Sequence, residues 1–401
     1  MRGADRILRE VLPVSGVDPR RYRAVLWAVD AVVSGGRVGL TAVGRFGRSA
    51  TSVKHQIKRA DRLVGNAHLH AEHMAWFEAL LQRLTEGKHQ IVLLLDWTHV
   101  GTDCALVASL PHSGRSIPAF FTVHAKHEYA SPRVQADFLR ALETLLPKGC
   151  RAILVTDAGF RGPWIQEIGD RFDFVTRVSG CSKLQIGEED WRTVDQLAAD
   201  AEITATDLGE VVLTTTNRLA VRAVRAKRYQ PPTKRRRRRR KTGKKAYKEH
   251  KKAATQPWVL ATSLREASAE DIVRLYALRM QIEEQFRDHK SHRFGIAMRY
   301  CRTCSLTRRA NLLLLATLAA LVLALVGRIA ERNGLHRKLQ ANTERRRRVL
   351  SHQFLARAVL RAEFHRLVHR RELSRELARL RRALTPEALT MDRGLPRSGD
   401  S

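Results

Sequence analysis

The sequence predicts an α/β fold with helical regions at both ends. Three observations carry that expectation. Strand-length apolar runs rich in β-branched residues recur between residues 91 and 178, with amphipathic helical stretches between some of them. Before residue 75 and after about residue 270, apolar residues return at three- and four-residue intervals instead. Two of the apolar runs close on an aspartate, Asp96 after Ile91-Val92-Leu93-Leu94-Leu95 and Asp157 after Ala152-Ile153-Leu154-Val155-Thr156.

Taken in order, residues 1–75 read as helical and basic. Tyr22 to Val33 and Ser52 to Leu63 carry the apolar spacing, and Lys54, His55, Lys58, Arg59 and Arg62 fall on polar faces suited to DNA phosphates. Strands follow at 91–95, 104–109 and 117–124, then a helix at 133–146 and a strand at 151–156. Gly162-Pro163 opens a second helix, because proline is tolerated in a first helical turn. Phe172 to Val178 is a further strand. Ile186 to Leu219 reads as strand-rich, and the block from Arg225 to Lys252, with its core at 234–241, is too charged to pack. Pro257 to Thr262 resumes a strand, a helix begins near Glu270, and the chain after Glu283 is expected to stay helical, ending in a loose tail from Pro386.

Length and charge narrow the function. A chain of 401 residues exceeds what one hydrophobic core usually serves, so two to four domains are expected. With 44% hydrophobic residues it is not a wholly disordered polycation. The 73 Lys and Arg outnumber 40 Asp and Glu, giving a formal charge of +33 that a nucleic acid would offset. Five cysteines form no disulfide framework, in keeping with a reducing compartment, and the Cys301/Cys304 pair lacks a second pair to complete a zinc site. No secretory leader is expected from the mixed charges of Met1 to Asp18. Leu312 to Val326, short of the roughly 20 apolar residues of a spanning helix and flanked by Arg308, Arg309 and Arg328, reads as a core helix.

The chemistry concentrates in acidic residues. A carboxylate after a buried strand is costly unless it binds something. Two such aspartates and Glu283 on a later helix are what a two-metal phosphoryl-transfer site requires. If that helix is continuous, Tyr276, Arg279, Glu283 and Lys290 lie within roughly 60° of one another beside the apolar arc of Leu275, Leu278, Ile282 and Phe286. Glu284 then points away and should be solvated. The alternative is an ordinary i,i+4 ion-pair pattern between Arg279 and Glu283.

The spacing Tyr276-x2-Arg279-x3-Glu283-x6-Lys290 resembles the YREK signature of DDE transposases of the insertion-sequence-four family. Asp96-Trp97-Thr98, Asp157-Ala158-Gly159-Phe160, Arg279 to Glu284 and Ile57 to Asn66 are similar to the insertion-sequence-ten branch in particular. The resemblance spans most of residues 20–350. It implies a ribonuclease-H-like catalytic core with a β-rich insertion, flanked by helical N- and C-terminal regions. The implied parts are a DNA-end-binding domain at 1–75, the core at 76–180 and 259–330, an insertion with its basic segment at 181–258, and a C-terminal region at 331–401 suited to dimerisation. It further implies Asp96, Asp157 and Glu283 as catalytic ligands of two Mg2+ ions, with Mn2+ as a substitute. Tyr276, Arg279 and Lys290 would contact DNA phosphates, and Trp258 would stack a flipped base while a hairpin forms. The expected partners are double-stranded DNA bearing terminal inverted repeats, target DNA and a second copy of the chain, with no membrane, in a bacterial cytoplasm close to the nucleoid. The arginine run at 234–241 departs from the family pattern. A non-catalytic DNA-binding protein and a stand-alone nuclease on the same fold are the alternatives.

Overall fold

A computed structural model describes residues 3–227, 257–292, 295–298, 301, 303, 305–341, 348–361 and 368–391. The arginine run 234–241 and Cys304 lie outside the described residues. The chain divides into two compact units, one made of Met1–Arg151 and Met280–Ser401, the other of Ala152–Arg279.

The first unit opens with six helices: α1 (Ala4–Val11), α2 (Pro19–Gly35), α3 (Leu40–Phe46), α4 (Val53–Val64), α5 (Ala67–Ala71) and α6 (His73–Thr85). Their starts are written locally. Asp18 caps α2 by accepting from the amides of Arg20 and Arg21, with proline next in line, and Ser52 and Asn66 cap α4 and α5 in the same way. Strands β1 (Gln90–Val100), β2 (Asp103–His112) and β3 (Arg115–His124) form an antiparallel meander, followed by α7 (Pro132–Leu145). Val100 pairs with Asp103 across a two-residue loop whose first residue, Gly101, has φ +67°, a conformation that favours glycine.

The second unit holds β4 (to Thr156 from Arg151), α8 (Gly162–Ile168), β5 (Asp173–Arg177), β6 (Lys183–Ile186), β7 (Arg192–Thr193), α9 (Val194–Ala199), β8 (Thr206–Leu213), β9 (Leu219–Ala226), β10 (Trp258–Thr262) and α10 (Ala269–Ala277). β4 and β5 pair in parallel, as a helical crossover requires, while β5, β10, β9, β8, β6 and β7 are joined by antiparallel pairs. The strand-rich stretch from Ile186 is interrupted by α9, whose start is a capping box between Thr193 and Gln196.

The chain then returns to the first unit with α11 (Met280–Lys290), α12 (Leu306–Arg332), α13 (Leu335–Leu339), α14 (His352–Arg361), α15 (Arg370–Arg382) and α16 (Pro386–Met391). α12 is the core of this unit. It is long and apolar enough to cross a membrane, yet 94% of its most apolar window is buried inside the protein, against β3, α2 and α14. Its one buried amide, Asn311, donates to the carbonyls of Val64 (2.9 Å) and Asn66 (3.1 Å) and meets His73 Nε2 at 2.8 Å. That side chain satisfies a carbonyl left over at the end of α4.

Two expectations need correction. Asp96 does not end its strand: β1 runs on to Val100, with Asp96 opposite Val107 in the ladder. The hairpin turn at Gly101, not the aspartate, terminates the pairing. The helix carrying Tyr276 to Lys290 is not continuous either. It breaks at Leu278 and Arg279, whose amides bond three residues back, to Leu275 (3.1 Å) and Tyr276 (3.0 Å). Such tightened bonds mark a helix end.

Candidate active site

The sequence-predicted residues fall into two groups, one on each unit. On the first unit, Asp96 is half-buried in the middle of β1 and accepts from the amide of Trp97 at 2.8 Å. α11 packs across β3, β1 and β2. Its register is set by two polar contacts that nothing in the sequence pattern announces. Gln281, fully buried, accepts from the amide of His112 at the end of β2 (2.8 Å), and Arg115 at the start of β3 donates to Asp288 (2.7 Å). Glu283 and Lys290, seven residues apart, lie within about 20° of each other around the helix. Both are half-buried along the edge of its packed face. Burial lowers the Lys290 pKa, and the Asp96 carboxylate opposes that shift, so the ammonium and the β1 aspartate share one electrostatic neighbourhood. Glu284, expected to be solvated, is instead held by Arg287 (2.6 Å) and Arg115 (3.5 Å).

On the second unit, Asp157 follows β4 directly. Its Oδ1 accepts from the Gly159 amide at 2.8 Å, and an added Cβ on that glycine would meet the same oxygen at 3.0 Å. The parallel register of Thr156 with Thr176 puts Arg177 beside Asp157 at the carboxyl ends of β4 and β5, the side on which open α/β sheets bind ligands. Tyr276 is buried nearby, and its hydroxyl bonds to Arg279. Burial pushes the phenol pKa up; the Arg279 and Arg177 guanidiniums oppose this, and Asp157 reinforces it. Arg177 is therefore a functional candidate that sequence reasoning missed, and a lone arginine at a strand end gives no signal to find it. Trp258 is buried at 6% exposure, its ring edge packed on Tyr276 at 4.7 Å.

Among the described residues, no three His, Cys, Asp or Glu side chains form a group able to hold a metal ion. Cys301 has a thiol that burial pushes up to about 11, which keeps it protonated and a poor ligand.

The N-terminal candidates separate into two kinds. Lys54, Lys58 and Arg62 are exposed at four-residue intervals, one basic stripe along α4. Arg59 is turned inward, its guanidinium 4.3 Å from the centre of the Trp27 ring.

A family model described as a transposase DDE domain matches residues 108–323, more than half of the chain. The chain belongs to the DDE transposase family. The match takes in Asp157, Trp258, Tyr276, Arg279, Glu283 and Lys290, while Asp96 lies twelve positions ahead of its first residue. No curated protein matches the transposase. Its mixed α/β architecture, with helices at both ends, is that of a ribonuclease-H-like DDE transposase, and DNA is its partner. The family generally uses divalent metals. The donor chemistry fits such an ion: Asp96, Asp157 and Glu283 are half-buried carboxylates, the oxygen ligands that magnesium and manganese take.

Proposed function

We propose that this transposase is a cut-and-paste enzyme of the insertion-sequence-four type, nearest the insertion-sequence-ten branch. It binds terminal inverted repeats, cleaves both strands at each element end through a hairpin, and joins the 3′ ends to target DNA. Asp96, Asp157 and Glu283 would hold two Mg2+ ions, or Mn2+, which when bound supply charge neutralisation and an activated oxygen nucleophile. The observation that carries the reading is the pairing of cations with these carboxylates: Lys290 within charge range of Asp96, and Arg279 with Arg177 beside Asp157 and Tyr276. A cation suited to phosphate close to each proposed ligand supports the reading.

The chain's own residues then have separable tasks. Lys290 holds a phosphate as a point charge and Arg279 as a planar fork. Tyr276 orients Arg279 through its hydroxyl. Trp258 would stack a base displaced during hairpin formation only on leaving its packing against Tyr276. Lys54, Lys58 and Arg62 follow the backbone of the end sequence, and a second copy of the chain completes the synaptic complex in the cytoplasm, at the nucleoid.

The test uses end-bearing DNA with Mg2+. Asp96→Ala, Asp157→Ala and Glu283→Ala should each abolish nicking while leaving gel-shift affinity for the end intact. Cleavage retained by any one of them removes that residue from the set.

A further inference from the structure

Two polar stripes run along opposite edges of α11. At about 100° per residue, Gln281, Glu284 and Asp288 fall within roughly 60° of one another, and Glu283 and Lys290 lie roughly 140° further round. Ile282, Gln285, Phe286 and His289, all buried, fill the arc between them, and the helix packs on β1, β2 and β3. It therefore lies flat on the sheet with one polar stripe at each edge of its packed face. Apolar burial is non-directional, so it sets the distance to the sheet better than the roll of the helix about its own axis.

The first stripe is gripped from a single place. His112 ends β2, Arg115 begins β3, and they pair across the two-residue turn Ser113-Gly114, whose φ angles of +46° and +84° are those of a tight hairpin. The His112 amide donates to Gln281 Oε1 at 2.8 Å. Arg115 donates through Nε to Asp288 at 2.7 Å, and its Nη1 lies 3.5 Å from Glu284 and donates to the Gly114 carbonyl at 2.9 Å. The tip is itself seated on the core, because the His112 ring stacks on His352 of α14 at 5.3 Å. Gln281 and Asp288 are 3% and 4% exposed. Buried polar and ionic groups add little net stability over apolar residues of similar size, and their best-attested use is to fix a register.

We propose that the β2–β3 tip is a positioning clamp: by holding Gln281, Glu284 and Asp288 at one edge of α11, it sets the angle at which the other edge presents Glu283 and Lys290. A roll of about 20° would carry a side-chain tip about 6 Å from the helix axis through roughly 2 Å. Metal–oxygen distances are held to about 0.2 Å, so ligand geometry is far more sensitive to that roll than apolar packing is. Gln281, Arg115 and Asp288 touch neither metal nor DNA in this assignment; they act through Glu283. The clamp rests on the reading of Glu283 as a metal ligand.

The test is Mn2+ binding by the full chain without DNA, read from the electron paramagnetic resonance signal of the free ion. Gln281→Met, which nearly keeps the volume and removes the acceptor, should weaken Mn2+ about tenfold, as loss of a group supporting a ligand does. Arg115→Met should do the same, whereas Arg115→Lys, which keeps a cation for Asp288, should stay within about threefold of wild type. Asn311→Leu disturbs the same unit where α12 meets the end of α4 and should leave the affinity unchanged. Equal weakening in Asn311→Leu would reduce the effect to lost stability and overturn the clamp. Should Gln281→Met not fold, the two Arg115 variants decide alone. Unchanged affinity in Glu283→Ala would overturn the metal reading and the clamp with it. Loss in Glu283→Ala beside wild-type affinity in Gln281→Met or Arg115→Met would overturn the clamp alone.

Discussion

Replacing Asn311 with leucine tests how the N-terminal helices are held to the core. The amide lies at 0% exposure in an otherwise apolar helix and makes three contacts, with Val64 O, Asn66 O and His73 Nε2. Leucine keeps the volume and strands all three partners. Two uncapped carbonyls and one imidazole nitrogen at about 1–3 kcal/mol each would cost several kcal/mol, offset by roughly 1–2 kcal/mol of better apolar burial. The net expectation is about 2–4 kcal/mol, concentrated where α4, α5 and α6 meet α12. Native-state hydrogen exchange reads this directly: amides of α4–α6 should exchange roughly 30- to 1,000-fold faster, at about 1.4 kcal/mol per factor of ten. A double-mutant cycle with His73→Leu should return a coupling of about 1 kcal/mol. Acceleration below about fivefold, or zero coupling, would refute the idea that this amide clamps the module.

Other expectations follow from buried charge and the basic stripe. His73 and His289 are held near 4 by burial, below the ordinary 6.5. The unfolded chain therefore takes up protons first, and stability should be lost as pH falls from about 6.5 to about 4. A thermal midpoint flat across that window would contradict the burial of both rings. Glu376 is 0% exposed among Arg328, Arg332 (3.1 Å) and Arg379 (3.4 Å). Glu376→Gln leaves that cluster uncompensated and should cost about 3–5 kcal/mol in urea denaturation, whereas a loss under 1 kcal/mol would mean the arginines relax to solvent. Alanine at Lys54, Lys58 and Arg62 together should flatten the slope of log affinity against log salt by about 3 for duplex DNA; an unchanged slope would take the α4 stripe off the DNA.

Much of this fold is legible in the sequence because its signals are local. The Gly162-Pro163 helix start and the apolar runs of β1 to β5 are each written within a few residues and are found where expected, and the caps at Asp18, Ser52 and Asn66 are local signals of the same kind. The break at Leu278 and Arg279 is not local in that sense. No glycine, proline or capping residue marks it, and apolar spacing continues straight through from Leu275 to Phe286. Asp96 misleads for a related reason. An acidic residue after five apolar ones looks like a strand end, but the ladder continues because Trp97 to Val100 pair with β2 as far as the turn. The cations beside the candidate carboxylates depend on register, as with Arg177 opposite the end of β4. The hydrogen bonds of Gln281 and Arg115 join positions more than 160 residues apart, beyond the reach of any window on the chain.

The order in which the chain is synthesised has a consequence for how it can fold. Residues 152–279 are contiguous and leave the ribosome as a finished unit, whereas the first unit needs Met280–Ser401 before it has a centre. Until α12 emerges, the apolar surfaces that α2 and β3 turn towards it lack that cover. Nascent chains halted before about residue 330 should thus be sticky, chaperone-dependent species, and a late truncation should be far more damaging than its distance from the carboxylates would suggest.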